Sequence, residues 1–129
     1  MSAENISPNK QLVLDFIDMA VHKRRPRDAF MAYASPQYRQ HNQTIGEGRS
    51  CVVAFFEAMN KFGSSHYEVR HMVEEGDRVV TFAYLRASPN GKPISLLADM
   101  FRIADGKLVE HWDVIQRVTE LPFREGELL

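Results

Sequence analysis

From residue 67 onward, apolar and polar residues alternate with a period of two, which is typical of half-buried β-strands. Turn sequences divide this half of the chain at Glu75-Gly76-Asp77, Pro89-Asn90-Gly91 and Asp105-Gly106. The pattern predicts four consecutive strands, at residues 67–74, 78–87, 94–103 and 107–118. Because the connections are short, we expect neighbouring strands to be antiparallel.

The first half of the chain has helical spacing instead. After Ser7-Pro8, apolar residues recur at intervals of three and four, at Leu12, Val13, Phe16, Ile17 and Ala20. A short second helix is predicted at residues 28–33, with Asp28 as its N-cap. A third helix is predicted to begin at Ser50 and to carry Val52, Val53, Phe55, Phe56 and Met59 on its apolar side. The polar segment 37–43 is interpreted as a short irregular strand.

Helices that precede a run of strands are typical of the α+β class. We expect a strongly curved antiparallel sheet of four long strands and one short strand, at residues 67–118 for the long ones, with three N-terminal helices within residues 9–62 closing one face. A chain of 129 residues can build one domain with a substantial core, so a single domain over residues 1–129 is expected. Residues 119–129 are interpreted as a tail that lies on the domain surface or on a partner.

The last hairpin admits two registers. A two-residue loop, Asp105-Gly106, places Asp99 and His111 on opposite faces of the sheet. A three-residue loop that also includes Ala104 puts Gly106 in the left-handed conformation of a G1 bulge and pairs Ile103 with Lys107. The second arrangement moves the register by one residue, so every side chain of one strand changes its partners.

We favour the three-residue loop because it gathers chemically useful polar groups on one apolar face. That face carries Leu97, Asp99, Phe101, Val109, His111, Asp113 and Ile115, and the other face carries Ala98, Met100, Arg102, Leu108, Glu110, Trp112 and Val114. Two carboxylates and an imidazole among large apolar side chains suit a ligand pocket and not an ordinary core. In this register Asp99 lies opposite His111.

Asp99, His111 and Asp113 form a candidate acid/base set. Apolar surroundings and a second carboxylate both destabilise a charged carboxyl group, so we expect one of the two aspartates to have a pKa well above the reference value of ~3.9. Such a group exchanges protons near neutral pH, and His111 could hold a bound carbonyl or enol oxygen. The structural alternative is a buried hydrogen bond between Asp99 and His111 across the strands.

Motifs that would indicate other kinds of site are mostly absent from the sequence. The sequence has no phosphate loop, no dinucleotide glycine fingerprint, no Cys/His spacing for zinc and no nucleophile elbow. Asp99, His111 and Asp113 together could supply three metal ligands, which remains an alternative to the acid/base set. We expect neither a cofactor nor a metal.

Composition narrows the class of partner. The net charge is −1 and the 16 basic residues are scattered, so no footprint for nucleic acid or for an acidic membrane is present. No apolar run approaches the ~20 residues of a membrane span, and residues 1–10 lack the apolar core of a secretory signal. The single cysteine, Cys51, cannot form an internal disulfide, which fits a reducing compartment. We expect a cytoplasmic protein.

Three segments carry a resemblance to a known family: Tyr38-Arg39-Gln40-His41-Asn42, Glu74-Glu75-Gly76-Asp77-Arg78-Val79, and the hairpin that runs from Ala98 to Asp113. From the first helix to Gln116 the chain resembles the SnoaL-like polyketide cyclase group of the nuclear transport factor 2-like superfamily. The resemblance implies a cone of curved antiparallel sheet closed by three helices around a deep apolar pocket. It also implies a homodimer formed through the outer sheet face, here at Met100, Trp112 and Val114.

The resemblance further implies roles for single residues. In the cyclases an aspartate on the last strand is the general acid/base in an intramolecular aldol closure of a polyketide ester, and Asp113 falls at that place. Asp99 falls at a second pocket position, where the cyclases can carry a histidine. By the same analogy His41 and His111 line the pocket, and the expected lining is completed by Tyr38, Leu97, Phe101, Val109 and Ile115.

These expectations combine into one favoured function. Asp113 abstracts a proton next to a carbonyl group of a small apolar ligand, and Asp99 and His111 stabilise charge at the oxygen, as in a cyclase or isomerase. One alternative is a non-catalytic domain for binding or assembly, because the fold of this superfamily also serves transport and scaffolding. The other is an epoxide or ester hydrolase whose carboxylates activate water.

Overall fold

A computed structural model describes residues 6–42, 45–118 and 129 of the chain. Its helices and strands follow in the order α1 Pro8–Ile17, α2 Pro26–Tyr33, β1 Ala34–Gln40, α3 Arg49–Asn60, β2 His66–Glu75, β3 Arg78–Arg86, β4 Pro93–Ala104 and β5 Lys107–Arg117. A π-helical turn, Asp18–His22, continues α1. The predicted α+β class, with three helices and four long strands, is confirmed. The predicted tail lies outside the described residues except for its last position.

The start of α1 is the one that the sequence predicts. Ser7 is the N-cap, its Oγ accepts a hydrogen bond from the backbone N–H of Lys10 at 3.1 Å, and Pro8 occupies the first turn, where its missing N–H costs nothing. The helix buries Val13 and Phe16 against the sheet. Sequence spacing and capping chemistry are therefore sufficient to define this element.

Two predicted N-caps are wrong. Helix α2 begins at Pro26, whose fixed φ suits a first turn, so Asp28 lies inside that turn and forms an ion pair with Arg25 at 2.6 Å. Helix α3 begins at Arg49, and its N-cap is Gly48, two residues before the predicted cap Ser50; no side chain caps this helix. In both cases a residue just upstream already supplies the backbone conformation that the helix start requires.

The five strands form one sheet in the order β1-β5-β4-β3-β2. Three neighbouring pairs are antiparallel as predicted, but β1 runs parallel to β5, so the sheet is mixed. Connection length does not determine this pairing, because α3 and three strands separate β1 from β5 in the chain. The sheet is curved and does not close into a barrel, since β1 and β2 lie at its two edges.

The turn between β4 and β5 has two residues, not three. Ala104 pairs with Lys107, and the intervening Asp105 and Gly106 have φ values of 52° and 72°, as a type I′ turn requires. The predicted pairing of Ile103 with Lys107 is therefore wrong. The Asp-Gly sequence, which commonly forms such turns, was the stronger signal.

A β-bulge follows the turn and changes the register again. Val109 is the extra residue of β5, because Ile103 pairs with Leu108 and the next pair is Arg102 with Glu110. Beyond the bulge, Asp99 lies opposite Asp113 and Phe101 lies opposite His111, so the predicted pairing of Asp99 with His111 is wrong. The two-residue turn and the bulge together shift the register by two residues. Beyond the bulge, the side chains on the inner face are therefore the ones that the predicted register places there. Leu108 is an exception: predicted on the outer face, it is fully buried in the core.

The core lies between the helices and the inner face of the sheet. The helices contribute Phe16 and Phe30, whose rings meet edge to face with centroids 5.0 Å apart, and Phe16 also approaches Phe101 of β4 at 6.1 Å. The fully buried Val79 and Leu108 come from the sheet. Among the described residues, no helix is long and apolar enough to cross a membrane.

Candidate active site

A cavity of about 300 Å³ opens within this core. Its wall is mainly aliphatic and aromatic and includes Phe16, Phe30 and Phe56 from the helices and Leu97, Phe101 and Ile115 from the sheet. A group of polar side chains from the sheet and from the end of β1 also lines it: Tyr38, Gln40, Asn42, Tyr67, Asp99, His111 and Asp113. An apolar cavity with a few convergent polar groups is the usual form of a small-molecule site, and this volume lies at the lower end of the usual range.

Asp99 is held by protein groups on both of its oxygens. Its Oδ1 is 2.8 Å from Nε2 of His111, and its Oδ2 accepts the hydroxyl hydrogen of Tyr67 at 2.5 Å. Because a hydroxyl has one hydrogen, Thr81, 2.6 Å away, donates to Tyr67 in turn. Asp99 is 6% exposed, so this carboxylate is a fixed, buried partner of His111.

Both ring nitrogens of His111 face oxygen acceptors. Nδ1 is 3.0 Å from Oε1 of Gln40, and Nε2 faces Asp99. A neutral imidazole donates from one nitrogen only, so the ring in this position is fully bonded as the imidazolium cation. Phe101 packs on it, with the ring centroids 4.7 Å apart. In the imidazolium form, the ring would place a positive charge between two aspartates.

Asp113 has a different environment from Asp99. Its Oδ1 accepts a hydrogen bond from Asn42 Nδ2 at 2.8 Å, and its Oδ2 lies 3.4 Å from Nε2 of Gln40 and 3.9 Å from Nδ1 of His111. Burial raises the pKa of Asp113 above its ordinary value, and the charge of His111 and the Asn42 hydrogen bond offset part of that rise. Asp113 is thus a cavity-lining carboxyl group with a raised pKa.

The two tyrosines of the site act as hydrogen-bond donors. Burial raises the pKa of Tyr38 and of Tyr67, and the nearby Asp99 acts in the same direction. Their hydroxyls therefore remain protonated. Tyr38 donates to Oε1 of Gln40 at 2.5 Å, as Tyr67 does to Asp99.

Strand β1 brings the amide groups to the site. Alternation along the strand directs Tyr38 and Gln40 to the inner face, and the parallel pairing places Gln40 beside His111 of β5. The backbone N–H of His41 donates to the carbonyl oxygen of His111 at 3.0 Å, which fixes the end of β1 against β5. Asn42 follows on the inner side and reaches Asp113.

The structure places seven of the predicted site residues at the cavity: Tyr38, Leu97, Asp99, Phe101, His111, Asp113 and Ile115. It corrects the other two. His41 lies on the outer face, where its ring stacks on Trp112 with centroids 4.8 Å apart and its Nε2 is 2.6 Å from Oε2 of Glu110. Val109 is the bulge residue and does not line the cavity.

Sequence reasoning missed three polar residues of the site: Gln40, Asn42 and Tyr67. For the first two a signal exists, because residues 38, 40 and 42 share one face of an extended segment while His41 points the other way. No pattern in the sequence distinguishes Tyr67 from the other aromatic residues. Its role depends on Asp99, which lies two strands away in the sheet.

Asp99, His111 and Asp113 each present a possible ligand atom, and these atoms lie within 4.8 Å of one another. The donor set fits a metal ion poorly. Both oxygens of Asp99 and both nitrogens of His111 already have hydrogen-bond partners in the protein, so an ion would have to replace the bond between these two side chains. We derive no step through a metal.

Comparison with known proteins identifies relatives of the same fold. The proposed polyketide cyclase from Acidithiobacillus ferrooxidans aligns over 91% of this chain and 92% of its own, with 19% identity and a TM-score of 0.75. The proposed isomerase of the SnoaL-like family from Agrobacterium tumefaciens covers 86% of this chain and 99% of its own, with 15% identity and a TM-score of 0.70. AclR, a proposed hydroxylase from Streptomyces galilaeus, covers 84% of this chain and 88% of its own, with 25% identity and a TM-score of 0.70.

The family follows from a comparison with protein-family models. No curated protein matches the chain. The model of the SnoaL-like domain matches residues 13–111, which extend from α1 into β5 and include the cavity-lining residues of β1, β2 and β4. Since this match covers well over half of the chain and agrees with the resemblance seen in the sequence, the protein belongs to the SnoaL-like domain family.

Proposed function

We propose that this protein is an enzyme that abstracts a proton next to a carbonyl group of a small, largely apolar ligand, as cyclases and isomerases do. One observation carries the proposal: Asp113 is a partly buried carboxyl group with a raised pKa in a mainly apolar cavity. Carboxyl groups in such surroundings exchange protons near neutral pH. The similar folds of a proposed polyketide cyclase and a proposed isomerase support this class of reaction.

In the proposed step, the carboxylate of Asp113 accepts the hydrogen from the carbon next to the carbonyl group, and the electron pair of the broken C–H bond forms an enolate. The cationic ring of His111, 3.9 Å from Asp113, stabilises the negative charge on the ligand. Because both ring nitrogens already face Gln40 and Asp99, the ring acts through its charge and not through a direct hydrogen bond to the ligand.

The second half of the reaction returns the proton. In an isomerase, the protonated Asp113 donates it to a different carbon of the enolate. In a cyclase, the enolate carbon attacks a second carbonyl carbon of the same molecule, and the alkoxide that forms takes the proton. Both outcomes restore the Asp113 carboxylate without any redox change.

The cavity also narrows the class of ligand. Its aromatic and aliphatic wall favours a mainly apolar molecule, and its polar groups favour a ligand whose carbonyl oxygens lie together. A volume of about 300 Å³ fits a compact ligand of one to a few rings.

Hydrogen exchange tests this function without knowledge of the natural substrate. The protein is incubated in D₂O with a panel of small ketones and β-keto esters, and NMR follows the loss of hydrogen next to the carbonyl group. We expect exchange of at least one compound, and its loss in Asp113→Asn. The matched control is Asp105→Asn in the exposed turn of the same hairpin, which should keep the wild-type rate. Exchange that persists in Asp113→Asn would refute the proposed role.

A non-catalytic binding domain is the second candidate, and one observation favours it. In the described part of the chain, no buried side-chain nitrogen or oxygen lacks a hydrogen-bond partner, so the polar network is complete without a ligand. Such a protein would bind compounds of the panel without exchanging their hydrogens. A hydrolase would instead release an acid or a diol, which the same NMR spectra would show.

We propose that the outer face of the sheet mediates a homodimer. Val80, Met100 and Trp112 form one row of cross-strand partners there, and Phe82, Ala98 and Val114 form the next. Val114 is 71% exposed and Phe82 is 38% exposed, so this face leaves apolar area in water. A second copy of the chain is the natural partner for such a face, because none of the helices formed by the described residues covers it.

Light scattering after size-exclusion chromatography tests the dimer. Val114→Asp should give a monomer, whereas Met31→Asp on α2, at a site that is equally apolar and 63% exposed, should leave the dimer intact. A wild-type protein that is monomeric at all concentrations would contradict the proposal.

A further inference from the structure

Gln40 contacts both Asp113, the proposed base, and His111, whose charge is proposed to stabilise the enolate. Its Oε1 lies 3.0 Å from Nδ1 of His111 and also accepts the Tyr38 hydroxyl, and its Nε2 lies 3.4 Å from Oδ2 of Asp113. The residue is 4% exposed and belongs to β1, the edge strand that pairs in parallel with β5. We propose that Gln40 is a positioning residue. It favours the protonated form of His111 and the ionised, carboxylate form of Asp113.

The observed orientation of the amide favours this proton location. With Oε1 towards His111, Nδ1 must carry a hydrogen to form the contact, and the second ring nitrogen must carry one to bond Asp99. With Nε2 towards Asp113, the amide offers a hydrogen to the carboxylate oxygen and so favours its ionised form. Both ends of one amide thus support a cationic histidine beside an ionised aspartate.

The reverse orientation would require the opposite arrangement. If the amide were turned over, Nε2 would face Nδ1 of His111, which would then have to be an acceptor in a neutral ring. Oε1 would face Asp113, which would have to be protonated to donate to it. The Tyr38 hydroxyl would lose its acceptor, so the observed orientation is the one that Tyr38 stabilises.

The other groups around His111 do not replace this function. Asp99 of β4 bonds the far nitrogen, Nε2, and Tyr67 of β2 bonds Asp99 and not the ring. On the near side, Asp113 is 3.9 Å from Nδ1, beyond hydrogen-bond distance. Gln40 is therefore the direct partner of Nδ1 among the described residues.

Nitrogen NMR of the unliganded, full-length protein tests the proposal directly. In the wild type at pH 7, both ring nitrogens of His111 should show the shifts of protonated nitrogens. In Gln40→Met, which keeps the length but removes both polar atoms, Nδ1 should lose its hydrogen, and the carboxyl ¹³C signal of Asp113 should titrate about one pH unit or more higher. Gln37→Met, at an exposed position of the same strand, is the matched control and should change neither signal.

A second variant keeps the test decisive even if Gln40→Met does not fold. Gln40→Glu retains an oxygen for Nδ1 and for Tyr38 but places a carboxylate where the amide faced Asp113. His111 should remain doubly protonated, and Asp113 should again titrate higher. A neutral His111 in the wild type, or wild-type spectra in both Gln40 variants, would overturn the proposal.

The consequence for catalysis rests on the proposed function. If Asp113 is the base, the pH at which exchange reaches half of its maximal rate should rise in Gln40→Met together with the titration of Asp113. The NMR measurement needs no substrate, so the proton placement and the proposed activity can fail separately. An unchanged pH profile, with Asp113 titrating higher, would reject Asp113 as the base and leave the role of Gln40 intact.

Discussion

Asp99 and Asp113 lie directly opposite each other on β4 and β5, yet the protein bonds the two carboxyl groups in different ways. Both oxygens of Asp99 are bonded to Tyr67 and His111, whereas Asp113 is bonded to amide groups and its pKa is raised by burial. Two carboxyl groups of one cavity thus have different environments, which is the basis of the different roles proposed for them.

The raised pKa of Asp113 predicts how stability changes with pH. A carboxyl group whose pKa is higher in the folded than in the unfolded state favours folding below its unfolded pKa, and this contribution is lost as the pH rises through the folded pKa. In the Asp113→Asn variant the side chain at this position cannot ionise, so the variant does not lose stability in this way as the pH rises. Its free energy of unfolding, measured in urea, should therefore improve relative to wild type from pH 4 to pH 7. A difference that is constant over this range would contradict the raised pKa.

Tyr67→Phe should destabilise the protein by about 1–3 kcal/mol, because it removes a buried donor from Asp99 and leaves that oxygen without its partner. Urea unfolding measures the loss. The control is Tyr33→Phe, since no hydrogen bond of the Tyr33 hydroxyl is found among the described residues, and it should cost less than half as much. Equal effects of the two substitutions would mean that the Tyr67–Asp99 bond adds nothing.

Gly106→Ala should cost roughly 1–2 kcal/mol of stability, because Gly106 has a φ of 72° and a side chain strains that conformation. No atom lies within 4 Å of the added Cβ, so the cost comes from the backbone alone. Gly106→Asn should lose less, since asparagine tolerates the left-handed region better than alanine does. If both variants were as stable as wild type, the two-residue turn would be wrong.

His41→Ala should leave the cavity unaffected, because His41 lies on the outer face and stacks on Trp112. Trp112 is the single tryptophan, so its fluorescence reports this contact without interference. We expect a red-shifted emission, since loss of the stacked imidazole exposes more of the indole to water, while the Arg78 guanidinium stays 5.0 Å from the ring centroid. Loss of exchange activity in this variant would mean that His41 contributes to the site, against its observed position on the outer face.

The fold is predictable because its signals are local. Period-two alternation and glycine turns define the four long strands, and the spacing of Val13 and Phe16 after Ser7-Pro8 defines α1. Register is harder, because a turn and a bulge both shift it by one residue. The bulge at Val109 has no glycine to mark it.

The candidate site is predictable in part where it depends on one hairpin and not where strands distant in sequence meet. Alternation groups His111 with Asp113 on β5, but Asp99 of β4 shares their face only because the bulge at Val109 offsets the two-residue turn. Gln40 joins them through the parallel pairing of β1, which nothing in the local sequence specifies. Dimerisation and cellular location stay predictions.

The pH dependence of hydrogen exchange at low concentrations of an active compound tests the central claim most directly, because it reports the free enzyme's essential base. If Asp113 is the base, the rate should rise with pH through a midpoint above the ordinary aspartate value of ~3.9, and this midpoint should coincide with that of the Asp113 carboxyl signal. In Asp113→Asn this rise should disappear, while Asp105→Asn should retain it. The same rise in Asp113→Asn as in wild type would contradict the role of Asp113 as the base.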